Sequence, residues 1–286
     1  EEGGRRIRFR HALLQEAAYQ SLPFRQRLAL HRAVGAALER DATDDSVVVA
    51  LLSLHFLAAQ DWGRTWRYAR QAAEAAQQAH APGEVAVHLE RAVTAARRLS
   101  DASGHELAAV FGNLGRTLEL LGEYPRADEA YRQATLASPG DRMLGAQMAY
   151  RRAHLQSEYL GRPTAAIRQL RSGRAGLEQL GSPAAGQRAL LLAEEANVRE
   201  RQGRLAEALA CARVAIDEAE RAGDARALAL SLEVCNSCLV RAGRPEDATN
   251  MDRVLGLYEE LGDEVQVAIA LSNIAAVAFF ASQWDR

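Results

Sequence analysis

Apolar and small residues recur along this chain at three- and four-residue intervals, the spacing that places them on one face of a helix. The spacing predicts a helix over residues 12–20 with Leu13, Leu14, Ala17 and Tyr19 facing inward. Ser21-Leu22-Pro23 breaks it, since proline is tolerated only in a first helical turn. A second helix over residues 24–40 follows, with Leu28, His31, Val34 or Gly35, and Leu38 on its inner face. Further on the pattern becomes periodic at a larger scale. Glycines that end one helix before the next begins stand at Gly122, Gly161, Gly203 and Gly243, spaced 39, 42 and 40 residues apart, and Ser282 takes the fifth place. A small residue follows each glycine by five positions, at Ala127, Ala166, Ala208 and Ala248. A fixed period of this length predicts stacked helical hairpins, here with long helices. Pro139, Gly181-Ser182-Pro183 and Ala222-Gly223-Asp224 separate the hairpins.

Composition agrees. There are 58 Ala and 5 Ile, and 6% of residues are aromatic. Alanine is the best helix former and lets helices approach closely. Only Arg5-Arg6-Ile7-Arg8-Phe9-Arg10 reads as extended, with Ile7 and Phe9 on one face. The expected class is all-α, a right-handed superhelical solenoid of hairpins.

All 35 basic residues are Arg, a usage that suits a GC-rich genome. Without Lys the chain has neither a P-loop lysine nor a Schiff-base amine. Residues 1–40 carry a net +4 and the remainder −6; the basic segment reads as an Arg-rich surface rather than a nucleic-acid site. Cys211, Cys235 and Cys238 form no disulfide framework. The pair Cys235-Asn236-Ser237-Cys238 lies in a helical pattern without the four ligands of a structural zinc site, and reads as buried packing. His105-Glu106 lacks a second His four residues on, no G-x-S-x-G is present, and Gly112, Gly115 and Gly122 follow no strand. Ala193-Glu194-Glu195 and Tyr258-Glu259-Glu260 read as solvated helix faces. No enzyme activity, metal or cofactor is expected. With no signal peptide and no run of 18 apolar residues, a cytoplasmic location is expected, with no membrane partner.

Two stretches carry resemblances. "LAAVFGNLGRTLELLGEYPRADEAYRQATLASP" resembles a tetratricopeptide repeat. The resemblance implies a close helix contact at Leu114-Gly115, a cap at Gly122, Tyr124 packed across the turn, and Ala127, Tyr131 and Ala134 on the inner face. "RIRFRHALLQEAAYQSLPFRQRLALHRAVGAALER" resembles the segment that closes the winged-helix part of STAND-type ATPases, including large LuxR-type ATP-binding activators. There a strand ending Phe-x-His, here Phe9-Arg10-His11, leads into such helices, and His11 and His31 cap or pack. The resemblance implies two parts, residues 1–40 ending a winged-helix-like module and residues 41–286 forming a repeat array whose last repeat is cut at Trp284-Asp285-Arg286. Nucleotide and DNA would then be met only by other domains of the parent.

In such an array the first helix of each hairpin lines the concave groove. Helical spacing aims Arg116 and Glu119, Arg151 and Glu158, Asn197 and Glu200, and Glu233 and Ser237 at it. These residues are the candidate site for a protein or peptide partner, or for a small-molecule inducer. The expected function is recognition as the sensor or scaffold arm of a signal-responsive ATPase, a transcriptional regulator. An adaptor or self-assembly scaffold without a small ligand is the alternative. The last repeat is expected to leave Phe279 and Phe280 poorly covered.

Overall fold

In a computed structural model of the chain, residues 12–40, 46–100 and 103–280 are described. The segment expected to be extended, with Ile7 and Phe9, together with His11, Ser282, the Trp284–Arg286 end and the Phe280 side chain, lies outside the described residues. Within them the chain is helical and carries no strand. It divides into two compact units, Glu1–Gly122 and Glu123–Arg286.

The first unit holds α1 (Ala12–Ser21), α2 (Phe24–Arg40), α3 (Ser46–Ala58), α4 (Trp62–Gln78), α5 (Pro82–Ala96) and α6 (Gly104–Leu120). From α2 onward each packs on the next. Leu52, Phe56 and Tyr68 form the α3–α4 core, with the Phe56 and Tyr68 rings stacked at 5.7 Å. Gly35 lets α2 lie on that core, because a Cβ there would meet the Phe56 ring at 3.0 Å. Gly35, not Val34, is therefore the inward residue. The expected inner face of α1 is corrected more strongly. Leu13 is 84% and Leu14 59% exposed, and Ala17 is exposed too. Periodicity marks these positions as apolar but cannot say that a neighbour covers them, and α2 reaches only the Tyr19 side. There Tyr19 hydrogen-bonds His31 at 2.9 Å, and His31 Nδ1 meets His55 Nδ1 at 2.9 Å. Burial holds both imidazoles below their usual range, which suits a bond needing one bare ring nitrogen.

The second unit holds α7 (Tyr124–Ala137), α8 (Arg142–Glu158), α9 (Pro163–Leu177), α10 (Ala185–Arg201), α11 (Leu205–Ala222), α12 (Ala225–Arg241), α13 (Met251–Glu260) and α14 (Glu264–Phe280). Consecutive helices pack together, and α10 also touches α8 and α12, so the first helices of successive hairpins lie side by side. Sequence explains the boundaries. Gly122, Gly161, Gly203 and Gly243 all have φ between 61° and 75°, a conformation a side chain resists. Asp141 and Asp224 then cap α8 and α12, accepting from the Leu144 and Ala227 amides at 2.9 Å. In the first unit the matching turns use Gln60 and His80, also at positive φ.

Alanine carries the contacts. Ala208, Ala212, Ala215 and Ala219 form a fully buried stripe along α11, and Ala127, Tyr131 and Ala134 are buried on α7 as expected. Tyr124 stacks on Tyr159 with ring centroids 3.9 Å apart. At the end of the stack Phe279 is 60% exposed, as expected, together with Val265, Ile269 and Leu271 on α14.

Two glycines of α9 give opposite expectations. A Cβ on Gly173 would sit 2.8 Å from the Ala149 Cβ, whereas at Gly176 it would meet nothing within 4 Å. Gly173→Ala should lower stability by about 1 kcal/mol or more, as overpacking outweighs helix propensity. Gly176→Ala should raise it by up to about 1 kcal/mol. Thermal unfolding of both variants checks the difference in sign.

Candidate functional site

Three first helices of the second unit border a cleft of about 270 Å³. Helix α10 contributes Asn197 and Glu200, one turn apart. Helix α12 contributes Leu230, Glu233, Val234, Ser237, Val240 and Arg241, spaced so that one face lines the cleft. Asn273, Ala276 and Val277 of α14 form the facing wall, and Met251 enters from α13. The walls are apolar with convergent amides, carboxylates and a hydroxyl, the usual make-up of a recognition cleft.

The two carboxylates differ. Glu200 is 7% exposed; it accepts a hydrogen bond from Ser237 Oγ at 3.0 Å and pairs with Arg241. Glu233 has neutral donors only. Tyr258 Oη donates to its Oε2 at 3.0 Å and Asn273 Nδ2 to its Oε1 at 3.1 Å. Burial raises the Glu233 carboxyl above its usual range, more than these two bonds lower it. The folded state thus holds that proton more tightly than the unfolded chain. The contribution of Glu233 to stability is greatest in acid and falls as pH rises through the carboxylate range. Burial likewise raises the Tyr258 hydroxyl, so it remains a donor. Asn236, buried behind the cleft, donates to Met251 Sδ at 3.1 Å.

Behind the cleft α10 carries an ionic lattice. Glu194 and Glu195 are 1% and 2% exposed and Arg199 is 5% exposed. The reading of Ala193-Glu194-Glu195 as a solvated face is therefore corrected: α10 is enclosed by α8, α9, α11 and α12, so even its polar face is covered. Glu195 pairs with Arg199 and Arg171, each at 2.7 Å, and with Arg174 at 3.5 Å. His154 of α8 lies 3.4 Å from Glu194. Arg199 donates to Cys211 Sγ of α11 at 2.7 Å. By contrast Glu259 and Glu260 are exposed, as expected.

The eight candidate residues are thus divided. Asn197, Glu200, Glu233 and Ser237 share the cleft. Arg151 and Glu158 are on α8 and do not line it; Glu158 pairs with Arg201. Arg116 and Glu119 belong to the first unit, where exposed Arg116 bonds Asn113 at 2.6 Å. Arg241 was legible as one more step of the Glu233–Ser237 spacing. Asn273 and Val277 repeat that spacing on α14, whereas Tyr258 comes from a second helix and leaves no such signal. Burial pushes the Cys238 thiol up to about 12 and the Cys235 thiol upward, as fits packing residues. Among the described residues no group of three His, Cys, Asp or Glu is arranged to hold a metal, and no helix is long and apolar enough to cross a membrane.

No family model matches the chain, and no curated protein matches it in sequence. Solved structures match its fold. BtubC from P. vanneervenii aligns at 13% identity and TM-score 0.56, over 85% of this chain and 94% of its own. The Rap conjugation gene regulator of plasmid pLS20, solved with the Phr* peptide, aligns at 12% identity and TM-score 0.56, over 90% of this chain and 76% of its own. The apo form of RapI aligns at 11% identity and TM-score 0.52, over 92% and 77%. At these identities the likeness shows the fold alone: the chain is an all-α, tetratricopeptide-like solenoid.

The lattice predicts a contrast between acids. Glu195→Ala removes the carboxylate nearest Arg199, leaving this buried guanidinium with Glu207 at 3.6 Å and the Cys211 sulfur, and should cost about 3 kcal/mol. Glu259→Ala should stay within about 0.5 kcal/mol of wild type. Urea unfolding of both variants checks this.

Proposed function

We propose that the chain is a non-catalytic recognition arm whose α10–α12–α14 cleft receives a segment of a protein partner. One observation carries the reading: Asn197, Glu200, Glu233 and Ser237 converge with Asn273 and Arg241 on one cleft between successive first helices. Its volume of about 270 Å³ favours one or two inserted side chains over a whole small-molecule inducer, whose pockets run to roughly 300–1,000 Å³. The peptide bound to the pLS20 Rap regulator supports the same reading, because that protein shares the fold. Amides and a hydroxyl at the cleft would meet a peptide backbone, and the apolar wall would take side chains.

The wider setting belongs to this proposal. Residues 1–40, resembling the end of a winged-helix module, would join the arm to a STAND-type ATPase, a transcriptional regulator working in the cytoplasm. Residues 41–286 would form the sensing array. Nucleotide and DNA would be handled by other domains. A partner would act by binding one arrangement of the parent more tightly than another, since equal affinity shifts nothing.

A second reading has its own observation. Val265, Ile269, Leu271 and Phe279 are all exposed on α14, an apolar surface suited to self-assembly as an adaptor.

The test is selection from a random peptide library on the whole chain, followed by anisotropy titration. Selected peptides should bind wild type, and Ser237→Arg, which fills the cleft, should weaken them about tenfold or more. Absence of any selected binder, together with mass that grows with concentration, would favour self-assembly instead.

A further inference from the structure

Of the two carboxylates in the cleft, only one has a counter-ion. Glu200 is matched by Arg241. Around Glu233 the hydrogen-bond partners are the Tyr258 hydroxyl and the Asn273 amide, and among the described residues no arginine or histidine forms an ion pair with it. Both donors are neutral. Taking a carboxylate out of water is unfavourable unless a cation or several donors replace the lost hydration. Two donors use about half of the four lone-pair sites a carboxylate offers. The remaining acceptor capacity belongs to a side chain that lines the cleft.

We infer that Glu233 anchors a cation of the bound partner, a guanidinium or ammonium carried on a basic side chain of the peptide. The inference rests on the cleft being a peptide site and names the chemistry that site selects. An arginine fits best, because its planar fork can donate to both carboxylate oxygens at once. Tyr258 and Asn273 would fix the plane of the carboxylate, and Leu230, Val234 and Val277 would flank the aliphatic part of the incoming chain. Glu200 would not compete for the cation, because Arg241 already satisfies it. The unfavourable burial of Glu233 is then the expected state of a site waiting for its charge partner: arrival of the cation offsets the desolvation that raises this carboxyl.

The experiment compares two capped tripeptides, acetyl-Leu-Arg-Leu-amide and its citrulline counterpart, which has nearly the same shape and no charge. Binding to the whole chain is measured by calorimetry at neutral pH and low salt. Wild type should bind the arginine peptide about tenfold more tightly, the scale of one charge-assisted pair. Glu233→Gln keeps acceptor and donor groups for Tyr258 and Asn273, and should bring the two peptides within about twofold of each other. Equal binding of both peptides to wild type overturns the inference, as does a preference that survives Glu233→Gln. If neither tripeptide binds while library-selected longer peptides still compete at the cleft, the cleft is a peptide site without this anchor. If nothing binds at all, the peptide reading falls with it.

Discussion

Four of the six charged side chains on helix α10, Glu194, Glu195, Arg199 and Glu200, are each less than a tenth exposed. Charges so placed are tolerated only when paired and hydrogen-bonded, because each loses the hydration water would give it. Neighbouring helices meet most of that demand, while Glu194 Oε1 and Arg199 Nε stay buried without a hydrogen bond. Arg171 and Arg174 come from α9, Cys211 from α11, Ser237 and Arg241 from α12, and His154 from α8. An ionic lattice of this kind fixes register, since a shift of one helix by a single residue would leave a buried charge without its partner. It also gives the cleft its floor, where Glu200 is drawn toward α12 by Ser237 and Arg241.

Small residues make the lattice geometrically possible. Ala189, Ala193, Ala196, Ala208, Ala212 and Ala215 are fully buried, and Gly173 holds α9 within a methyl's reach of Ala149. Helices that approach this closely bring guanidinium and carboxylate groups of neighbouring elements into bonding distance. Close packing also lets three first helices share one concave wall, which the apolar faces of α12 and α14 complete. Glu233 stands out here as the one lining carboxylate held by neutral donors alone. The same chemistry that closes the interior around α10 is left open at the surface beside it.

Much of this was legible in the sequence. Every turn glycine named from the forty-residue period that falls in the described chain has positive φ, and the residue five positions later is buried each time. Local geometry with a fixed residue requirement repeats, so it can be read. The turns at Gln60 and His80 lack glycine, so the glycine period does not extend to them; Asp61-Trp62 and Pro82-Gly83, which follow them, are the readable turn signals there. Leu13 and Leu14 show the limit of periodicity, which identifies an apolar stripe without identifying what covers it. Glu194 and Glu195 show the reverse, since charge suggests solvent until neighbouring helices are known to surround all sides. Half of the candidate site emerged from helical spacing on single helices. Tyr258, which with Asn273 decides the character of Glu233, comes from a second helix outside that spacing and depends on tertiary packing.

A structure of the chain with a library-selected peptide shows whether partners enter the α10–α12–α14 cleft. Peptide side chains are expected between Asn197, Ser237 and Asn273. A peptide seated instead on the α11 and α13 side, or on the first unit, would contradict that placement.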